Sequence, residues 1–557
     1  MSWAAARRRT PSPTRPTSTG GPGHPVTLPR VTTGRAQPAR VRPPAGRPPT
    51  RTTVTATLAE VAAALPGAGV HGPAPDTAIP LVDATHDSRQ VRPGWLFCAV
   101  VGARADGHDH APQAVADGAA ALLVQRPLDL DVPQLVVPSV RAMMGPAAAV
   151  VHGHPSRQLT VVGTTGTNGK TTVSYLLEGA FAAAGQGTGV IGTVETRVLG
   201  ERIPGVRTTP EGTDLQRLLR HLHDRGVDAV AAEVSSHGLD LHRVDGTRFA
   251  VAVYTNLSQD HLDWHGTMER YLAAKARLFT PAFTDRGVVF LDGPWADRLL
   301  ASSSVETTTV GWEAQGRPGA RVPEVVIVEA RSDVTGGSAR LRGLVAEDLP
   351  VSTLLPGAFN LANAAVAVVA AVRAGVEPEV AAAGVASAPG APGRLERVTA
   401  PAGPAVFVDY AHTPEAVRAV LETLRAALPP GGRVGIVLGC GGDRDRDKRA
   451  PMGAAAAAAD IAVLTSDNPR SEDPAAILEV MAAGARAARA EGAPAELRVE
   501  LDRRRAIELA LAQAGDDDIV LIAGKGHEAV QEFADRTVAF DDRAVAAELL
   551  AERAVDA

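Results

Sequence analysis

The sequence predicts a protein of three α/β domains, and three observations support this prediction. Apolar runs typical of buried strands alternate with amphipathic helical stretches over most of the 557 residues. A loop rich in Gly, Thr and Asn stands directly between one such strand and a helix. The length suits about three domains of ordinary size. Strands that alternate with helices favour largely parallel sheets covered by helices.

The composition argues against several classes of protein. Hydrophobic residues make up 45% and charged residues 21% of the chain, as in soluble globular proteins. No apolar run reaches the roughly 18 residues of a membrane span, and aromatic residues, which stack on nucleic-acid bases, make up only 3%. The two cysteines, Cys98 and Cys440, form no C-x-x-C pair, which fits a reducing compartment. We therefore expect a cytoplasmic protein without nucleic-acid partners or membrane insertion.

A basic segment opens the chain. Ten Arg, eleven Pro and no acidic residue stand in residues 1–51, although the whole chain has a net charge of −6. This composition predicts a disordered tail over residues 1–55. No apolar segment follows Arg7–Arg9, so a secretory signal is not indicated, whereas the composition also matches an organellar transit peptide. A flexible extension, or a start codon placed too early, is the preferred interpretation.

The first folded domain is predicted over residues 56–156. Leu58, Val61, Ala62 and Leu65 recur at helical spacing. The strand candidates are Leu96–Val101, Ala121–Val124 and Leu135–Val137. His154-Pro155-Ser156 is predicted to be a linker.

A phosphate-binding loop is predicted in the second domain, residues 157–390. Strand Leu159–Val162 leads into Gly163–Lys170, and an amphipathic helix follows. Glycines let backbone N–H groups surround a phosphate, the Lys170 side chain adds charge, and the Thr171 hydroxyl is placed to ligate Mg²⁺. The match is imperfect, because the first glycine of the motif should fall at Thr164.

Two later strands of this domain end in polar residues. Glu233 closes the strand Val230–Val234, where a carboxylate can hold the Mg²⁺ of a nucleotide. Strand Val251–Tyr254 is followed by a segment that contains His261, and Lys275 stands further on. Each of these residues alone could be an ordinary surface or structural side chain.

The third domain, residues 391–557, is predicted to be Rossmann-like and to begin at the Pro/Gly-rich stretch Ala388–Gly393. Its strand candidates are Ala405–Val408, Val434–Leu438, Ile461–Thr465 and Ile519–Ala523. The segments Gly441–Asp445, Asp467–Arg470 and Gly524–Glu528 each follow a strand and should gather at one edge of the sheet. Two Arg, one Asn and one Glu there suit a zwitterion with an extra carboxylate, because guanidinium pairs with carboxylate in a bidentate manner.

Five motifs in this order resemble the Mur ligases of peptidoglycan synthesis. They are Gly163–Thr172, Glu233–Gly238, Asn256–His265 with Lys275, Asn360–Asn363 and Asp409–Pro414. The resemblance runs from about Thr57 to the C-terminus. It implies a small UDP-binding domain, a central P-loop ATPase with a mainly parallel sheet, and a C-terminal amino-acid-binding domain. It also implies that ATP is the co-substrate, that a carboxylate is activated as an acyl phosphate, and that an amine then displaces the phosphate.

The resemblance implies a role for each matching residue. Lys170, Glu233, His261 and Lys275 would be catalytic. Lys275 would be carbamylated by CO₂ and, with His261, would hold a second Mg²⁺, while Thr171 and Glu233 hold the first. The residues implied to bind ATP are Gly166, Thr167, Asn168, Gly169, Lys170, Thr171 and Thr172 around the phosphates, Asn360 and Asn363 near adenine, and Asp409 near ribose.

The same resemblance implies two further substrate sites. For UDP-N-acetylmuramoyl-L-alanyl-D-glutamate the residues are Ser88, Thr208, Thr209, Ser235 and Arg243, and Leu241 replaces a glutamine found in many relatives. For meso-diaminopimelate they are Arg444, Asp467, Asn468, Pro469, Arg470, Gly524 and Glu528. Three alternatives stay open: a ligase that adds L-lysine, a relative such as folylpolyglutamate synthase, and a non-catalytic scaffold. A monomer is expected.

Overall fold

A computed structural model describes residues 56–72, 78–102, 105–203, 207–313, 321–399 and 403–556. The basic tail predicted over residues 1–55 lies outside the described residues. Within them, three large sheets follow one another along the chain, and most of the neighbouring strands in these sheets run parallel. The predicted fold class is therefore confirmed.

The first sheet has five strands in the order β2-β7-β6-β5-β4. Strands β4 to β7 are parallel neighbours, whereas β2 pairs antiparallel with β7. The elements of this region are β1 Ala56–Thr57, α1 Leu58–Ala64, β2 Gly69–His71, β3 Pro80–Leu81, β4 Asp83–Thr85, β5 Trp95–Cys98, α2 Ala111–Ala116, β6 Ala121–Val124, β7 Gln134–Val136 and α3 Val140–Val151.

The second sheet has eleven strands in the order β11-β10-β9-β12-β8-β13-β14-β15-β16-β17-β18. Its strands are β8 Thr160–Thr165, β9 Thr188–Ile191, β10 Thr196–Val198, β11 Glu201–Ile203, β12 Ala229–Glu233, β13 Val251–Tyr254, β14 Arg286–Phe290, β15 Glu306–Trp312, β16 Val325–Asp333, β17 Gly336–Arg342 and β18 Leu349–Thr353. Its helices are α4 Lys170–Ala183, α5 Gly212–Asp224, α6 Ser236–Asp240, α7 Leu262–His265, α8 Met268–Ala276, α9 Pro294–Ser302, α10 Ala358–Arg373 and α11 Pro378–Ser387.

Strand order in this sheet decides where the polar residues meet. The strand that precedes the Gly-rich loop, β8, lies between β12 and β13 and is parallel to both. The carboxyl ends of all three strands therefore point to the same edge of the sheet. Helix α10, which is apolar on nearly all sides, is buried almost throughout its length and packs in the same core as α4, as expected for a helix without a polar face.

The third sheet has the order β19-β20-β24-β21-β22-β23, and all neighbours except β19 and β20 run parallel. Its elements are β19 Glu396–Val398, β20 Ala405–Asp409, α12 Pro414–Ala426, β21 Val434–Leu438, α13 Arg449–Ala456, β22 Ile461–Leu464, α14 Pro474–Ala490, β23 Glu496–Val499, α15 Arg503–Gln513, β24 Ile519–Ala523, β25 Val530–Glu532, β26 Thr537–Ala539 and α16 Asp542–Asp556. The predicted strands here are confirmed to within one residue at each end.

The connection between the first and second sheets is short and packed. Pro155 and Ser156, predicted to belong to a linker, are buried, and the Ser156 hydroxyl accepts a hydrogen bond from the Arg248 backbone at 2.9 Å. Arg217 on α5 reaches across to β4, where it donates to the Asp83 carboxylate and to the Ala84 carbonyl, both at 2.7 Å. These contacts fix the first sheet against the second.

No helix within the described ranges combines the length and the hydropathy that a membrane span requires.

Candidate active site

The Gly-rich loop follows β8 and ends where α4 begins. Gly166 and Gly169 have φ angles of 154° and 86°, which residues with a side chain rarely adopt. A methyl group on Gly166 would overlap the Thr255 hydroxyl, and one on Gly169 would meet the Asn363 amide oxygen at 2.6 Å. The backbone N–H of Asn168 is fixed by the Asn256 side chain at 2.9 Å. The loop is thus shaped by residues that follow β13 and by α10.

Two lysines converge on one carbonyl oxygen of this loop. The Lys170 ammonium donates to the Gly166 and Thr167 carbonyls, both at 2.9 Å. The Lys275 ammonium, from α8, donates to the same Gly166 carbonyl at 2.7 Å and lies 4.4 Å from the centre of the Tyr271 ring. Lys275 is buried, with 1% of its surface exposed. Two lysine side chains therefore border the loop, and Lys170 supplies positive charge for phosphate oxygens.

Electrostatics at the two lysines follow from burial. Burial lowers the pKa of Lys275 well below its ordinary value, and the neighbouring Lys170 cation lowers it further. Burial lowers the pKa of Lys170 as well, Glu233 opposes this shift, and Arg394 adds to it. The Lys275 amine is therefore more readily neutral, and so more nucleophilic, than a surface lysine.

Glu233 lies at the end of β12, beside the loop. Its carboxylate accepts hydrogen bonds from the Thr193 backbone at 2.8 Å and from the Thr193 hydroxyl at 3.0 Å. Carboxylates held in this way retain free lone pairs on both oxygens. Nothing in the sequence pattern pointed to Thr193, because it follows the short strand β9, which the pattern did not predict.

His261 lies in a group of aromatic rings near the loop. It adopts a left-handed backbone with φ 52°, and its ring centre lies 4.8 Å from that of His237 and 6.1 Å from that of Tyr271. The Tyr271 hydroxyl is 3.2 Å from the Thr167 hydroxyl on the loop. Burial lowers the pKa of His261, and the cations Lys170 and Lys275 contribute. The neutral imidazole is the form that ligates metals.

The donors at this edge fit Mg²⁺ bound together with a nucleotide. Among the described residues, no three His, Cys, Asp or Glu side chains form a metal-binding group, so the protein alone makes no closed cage. Mg²⁺ is usually held by one or two carboxylates or hydroxyls with substrate phosphates completing the shell. The Glu233 carboxylate and the Thr171 hydroxyl at the start of α4 are ligands of this type.

The residues predicted to surround the nucleoside come from different elements. The Asn360 side chain donates to the Pro356 carbonyl at 2.9 Å, and Asn363 donates to the Asn360 amide oxygen at 3.3 Å. The buried Asp409 carboxylate, at the end of β20, accepts backbone hydrogen bonds from Leu395 and Ala411, both at 2.7 Å. Asp409 therefore fixes the start of the third domain.

Arg394 was not singled out by the sequence. Its guanidinium lies 4.8 Å from the centre of the Tyr410 ring and influences both Lys170 and Asp409 electrostatically. Its Nε is buried and has no hydrogen-bond partner among the described residues. A guanidinium whose charge acts on Lys170 is a candidate for electrostatic stabilisation of a bound phosphate. A lone Arg in a Pro/Gly stretch carries no pattern that would reveal it.

Four of the predicted muramoyl-dipeptide residues lie together. The Thr209 hydroxyl donates to the Glu233 carbonyl at 3.0 Å and lies 3.1 Å from the Ser235 hydroxyl. Arg243 donates to the Thr209 carbonyl at 3.3 Å, and the Thr208 hydroxyl is 3.0 Å from that of Thr193.

The other two residues discussed for this substrate lie elsewhere. Ser88 lies in a short 3₁₀ turn, Ser88–Gln90, of the first domain. Leu241 ends α6 and brings no polar group to the position.

The predicted amino-acid residues gather at the carboxyl ends of β21, β22 and β24. The Asn468 amide nitrogen donates to the Glu528 carboxylate at 2.7 Å, joining the segments after β22 and β24. A methyl group on Gly524 would meet the Asp467 carboxylate at 2.7 Å, and one on Gly442 would overlap the Pro469 carbonyl. The three segments are therefore in close contact.

The two arginines of this group differ in their surroundings. Arg470 donates to the Gly442 carbonyl and to the Glu532 carboxylate on β25, both at 2.8 Å. Arg444 is exposed, and both side chains flank Gly441. Glu532 was not predicted from the sequence, because it lies on a short hairpin strand outside the three motifs.

A buried ion pair of the third domain stabilises the start of two of the segments that form the predicted amino-acid site. Arg503, at the start of α15, donates twice to the Asp542 carboxylate of α16, at 2.7 Å each. It also donates to the Ser466 carbonyl at 3.2 Å and to the Ala523 carbonyl at 3.0 Å. These carbonyls immediately precede Asp467 and Gly524, so one guanidinium holds both strand ends.

Comparison with known proteins identifies the family. Profiles described as Mur ligase family catalytic domain, Mur ligase middle domain, and Mur ligase glutamate ligase domain match residues 84–162, 164–371 and 393–526. A relative from Streptomyces coelicolor, named UDP-N-acetylmuramoyl-L-alanyl-D-glutamate–2,6-diaminopimelate ligase, is 48% identical over 485 residues, which are 86% of this chain and 94% of the relative. The chain belongs to the Mur ligase family.

Further similarities agree with this assignment to the Mur ligases. A relative of the same name from Geobacillus thermodenitrificans is 42% identical over 498 residues, covering 88% of this chain and 98% of its own. A solved structure of a UDP-N-acetylmuramoyl-L-alanyl-D-glutamate–2,6-diaminopimelate ligase is similar with a TM-score of 0.67 and 31% identity. The match covers 90% of this Mur ligase and all of that chain.

Proposed function

We propose that this Mur ligase uses ATP to join meso-diaminopimelate to the D-glutamate carboxylate of UDP-N-acetylmuramoyl-L-alanyl-D-glutamate. The observation that carries the proposal is the group of Arg444, Arg470, Asn468 and Glu528 at adjoining strand ends, in a chain whose relatives are named for that reaction. Guanidinium groups suit the substrate's carboxylates, and a carboxylate suits its ammonium.

The first chemical step takes place at the Gly-rich loop. A glutamate carboxylate oxygen attacks the γ-phosphorus of ATP, and the bond between this phosphorus and the β,γ-bridging oxygen breaks. The products are ADP and an acyl phosphate. Both reactants are anions, so the barrier contains their mutual repulsion. Lys170, held over the loop, and backbone N–H groups at the start of α4 stabilise the charge on the phosphoryl oxygens. When bound, Mg²⁺ would supply further positive charge there, held by Thr171 and Glu233 at one site.

The second step joins the amine. The amine nitrogen attacks the acyl carbon, loses its proton, and displaces phosphate through a tetrahedral intermediate. Thr209, Ser235 and Arg243 orient the dipeptide beside the loop, Ser88 binds the uridine nucleotide, and the third domain presents the amine. Asn360, Asn363 and Asp409 border the adenosine. The fixed orientation of the two reactants supplies much of the rate enhancement.

Lys275 is proposed to carry a carbamate. Its neutral amine would attack CO₂, form an N–C bond and release a proton. Burial of this amine beside Lys170 supports the proposal, because the product places an anion next to the Lys170 cation. The carbamate and His261 would then be the ligands of a second Mg²⁺.

The L-lysine alternative is less favoured. L-Lysine lacks the second carboxylate, which would leave a guanidinium of the pocket without its partner, and the relatives named above are diaminopimelate ligases. We also propose a monomer in the cytoplasm, where ATP is available. Both cysteines are free and buried, which fits a reducing compartment.

Phosphate release tests the proposal. The purified protein is given UDP-N-acetylmuramoyl-L-alanyl-D-glutamate, ATP and Mg²⁺ with meso-diaminopimelate, with L-lysine, or without amine. We expect release that depends on diaminopimelate, with kcat/KM for L-lysine lower by about a hundredfold or more. Equal rates with lysine would refute the substrate assignment, and no release with either amine would refute the ligase assignment.

A further inference from the structure

Lys525 is a fully buried cation beside the amino-acid pocket, with 0% of its surface exposed. It belongs to the segment after β24, between Gly524 and Glu528. Its ammonium donates to the Asn468 amide oxygen at 3.1 Å and to the Val530 carbonyl at 2.5 Å, and it lies 3.6 Å from the Glu528 carboxylate. The proposed function assigns roles to its partners Asn468 and Glu528 but none to Lys525.

A lysine at position 525 is unusual because lysine is rare in this chain. Lysine and arginine total 56 residues, yet only four are lysines, namely Lys170, Lys275, Lys448 and Lys525. Two of these converge on the phosphate loop and a third is Lys525. A guanidinium is larger and planar, whereas an ammonium is compact with three donors. The buried space between Asn468 and Val530 is thus filled by the smaller cation.

Lys525 is one of two donors that set the orientation of the Asn468 amide. An ammonium only donates hydrogen bonds, so the oxygen of the amide must face Lys525. The same oxygen accepts from the Glu532 backbone N–H at 3.1 Å. The amide nitrogen is thereby turned towards Glu528, to which it donates at 2.7 Å. Donation therefore runs in one direction, from Lys525 through Asn468 to Glu528.

The charge of Lys525 also acts on Glu528. Burial raises the pKa of Glu528, and Lys525 is the strongest of the groups that oppose this rise. The charged or polar groups around Glu528 are Lys525, Asp467, Asn468, Arg470, Tyr410 and Arg503. Among the first four, Asp467 raises the pKa, whereas Asn468 and Arg470 lower it. Without the ammonium, Glu528 would hold its proton to higher pH and lose its attraction for a substrate ammonium.

We propose that Lys525 is a positioning residue for amine recognition, which fixes the Asn468 amide and keeps the Glu528 carboxylate ready to accept the substrate's ammonium. The inference rests on the proposed function, since it concerns the same pocket. Lys525 does not itself contact the substrate in this account. It acts through Asn468 and Glu528.

A double-mutant cycle tests the proposal. The variants are Lys525→Met, Asn468→Ala and the two combined. Met fills similar volume without a donor or a charge. We expect each single change to raise KM for meso-diaminopimelate about tenfold with little change in KM for ATP. If Lys525 acts through Asn468 as well as through its charge on Glu528, the double variant is less impaired than the product of the two single effects, because coupled residues are not additive. The proposal would be overturned if the effects of the two single changes on KM simply multiplied in the double variant.

Two further measurements separate positioning from general stability. Lys525→Gln keeps a donor and should recover part of the loss in KM, whereas Arg504→Met, a surface cation of the same domain paired with Glu548, should behave as wild type. In Lys525→Met the acidic limb of the kcat/KM profile for diaminopimelate should move to higher pH. The proposal would be contradicted if the acidic limb did not move, or if Lys525→Gln raised KM as much as Lys525→Met.

Failure of the inference can be told from failure of the proposed function. If the wild-type protein shows no phosphate release dependent on diaminopimelate, the proposed function falls, and this inference falls with it. If the wild type is active and the cycle is additive, only the role of Lys525 falls. Should Lys525→Met fold poorly, the pH profile of Lys525→Gln decides the question, since Gln removes the charge and retains a buried donor: an acidic limb that does not move to higher pH would overturn the proposal.

Discussion

At the scale of single residues, the site is defined by charged side chains that share a hydrogen-bond acceptor. Lys170 and Lys275 stand 105 positions apart in the chain, yet both donate to the Gly166 carbonyl. Two ammonium groups at one carbonyl repel each other, and this repulsion is relieved when a phosphate binds or when one of the amines becomes neutral or anionic.

The first prediction concerns Lys275. Changing Lys275→Ala should reduce kcat by about a thousandfold, because the anionic group proposed at this position is lost. Added formate or acetate should restore part of the activity by occupying the space of the carbamate. In the control Lys275→Arg, the same acids should restore nothing, because the larger cation fills the space. Equal rescue of both variants would contradict the carbamate.

The second prediction concerns Arg470. Changing Arg470→Ala should raise KM for meso-diaminopimelate by about ten- to a hundredfold, the usual value of a charge-assisted hydrogen bond. The dissociation constant for ATP should stay the same. Arg536→Ala is the matched control, because Arg536 pairs with Asp535 on the surface. Unchanged diaminopimelate kinetics in Arg470→Ala would refute the pocket assignment.

Residues with a motif were predictable, whereas their partners were not. Lys170, Glu233 and Asn468 follow recognisable strands and belong to ordered motifs, so the sequence indicated them. Thr193, Glu532 and Arg394 carry no such pattern, because their roles depend on which distant segments fold beside them. Asp409 belongs to one of the motifs, but its hydrogen bonds with the Leu395 and Ala411 backbones did not follow from that motif.

At the scale of elements, helices α13 and α14 cross with almost no space between their backbones. A methyl group on Gly484 of α14 would overlap the Ala450 carbonyl, and one on Gly453 of α13 would overlap the Met481 carbonyl. Glycine at both positions is therefore a packing requirement rather than a conformational one.

The third prediction follows from this crossing. Gly484→Ala should lower the free energy of unfolding by about 1–3 kcal/mol, the usual cost of overpacking. The segment Gly441–Asp445 precedes α13, so KM for diaminopimelate should rise as well. Urea denaturation measures the stability, and Ala483→Ser on the exposed side of α14 is the control. A Gly484→Ala protein as stable as wild type would show that the helices can separate at little cost.

The fourth prediction concerns Glu472, which joins the segments before α13 and α14. It accepts two hydrogen bonds from Arg449, at 2.8 and 3.1 Å, and one from the Asp443 backbone at 2.7 Å. The hydrogen bonds from Arg449 and from the Asp443 backbone lower the pKa of Glu472 from 4.5 to about 2. A carboxyl with a lowered pKa stabilises the fold above its unfolded pKa and loses this contribution as the pH falls.

Glu472→Gln should therefore melt at a lower temperature than wild type at pH 7. The difference should shrink as the pH falls from about 4.5 towards 2, where wild-type Glu472 also becomes neutral. Thermal unfolding at several pH values measures it, and Glu479→Gln, in a surface pair with Arg486, is the control. A difference in melting temperature that grows towards low pH would contradict this prediction.

Several strands that consist of an uninterrupted apolar run were predicted from the sequence, whereas strands that mix polar and apolar residues were missed. Strands β13, β21 and β24 have the predicted bounds, because buried parallel strands are apolar throughout. The antiparallel strands β10, β11, β17 and β18 are partly exposed and mix polar with apolar residues. Their pairing depends on neighbours that local sequence does not reveal.

At the scale of the whole molecule, Arg394 links the start of the third domain to the phosphate loop of the second. Its electrostatic influence reaches Lys170, and its ring contact is to Tyr410 after β20. Arg394 thus adds a positive charge from the third domain to the surroundings of this loop. Nucleotide binding should therefore stabilise the two domains together.

The fifth prediction tests this link. Arg394→Ala should raise KM for ATP by about tenfold and should reduce the increase in melting temperature that Mg²⁺ and ATP produce in wild type. Arg397→Ala, three residues further along and exposed, is the control. Chelation of Mg²⁺ should remove most of the increase in wild type. An unaltered thermal response in Arg394→Ala would refute the link.

The ion pair of Arg503 and Asp542 has a consequence for the exchange of specificity between relatives. The loop segments Asp467–Arg470 and Gly524–Glu528 each begin directly after a carbonyl that accepts a hydrogen bond from Arg503, and the counter-charge Asp542 belongs to α16. A chimera that took the loops and α15 from one parent and α16 from another could leave a buried charge alone, at about 3–5 kcal/mol. Donor sequence should therefore run through α16, so that both halves of the pair come from one parent.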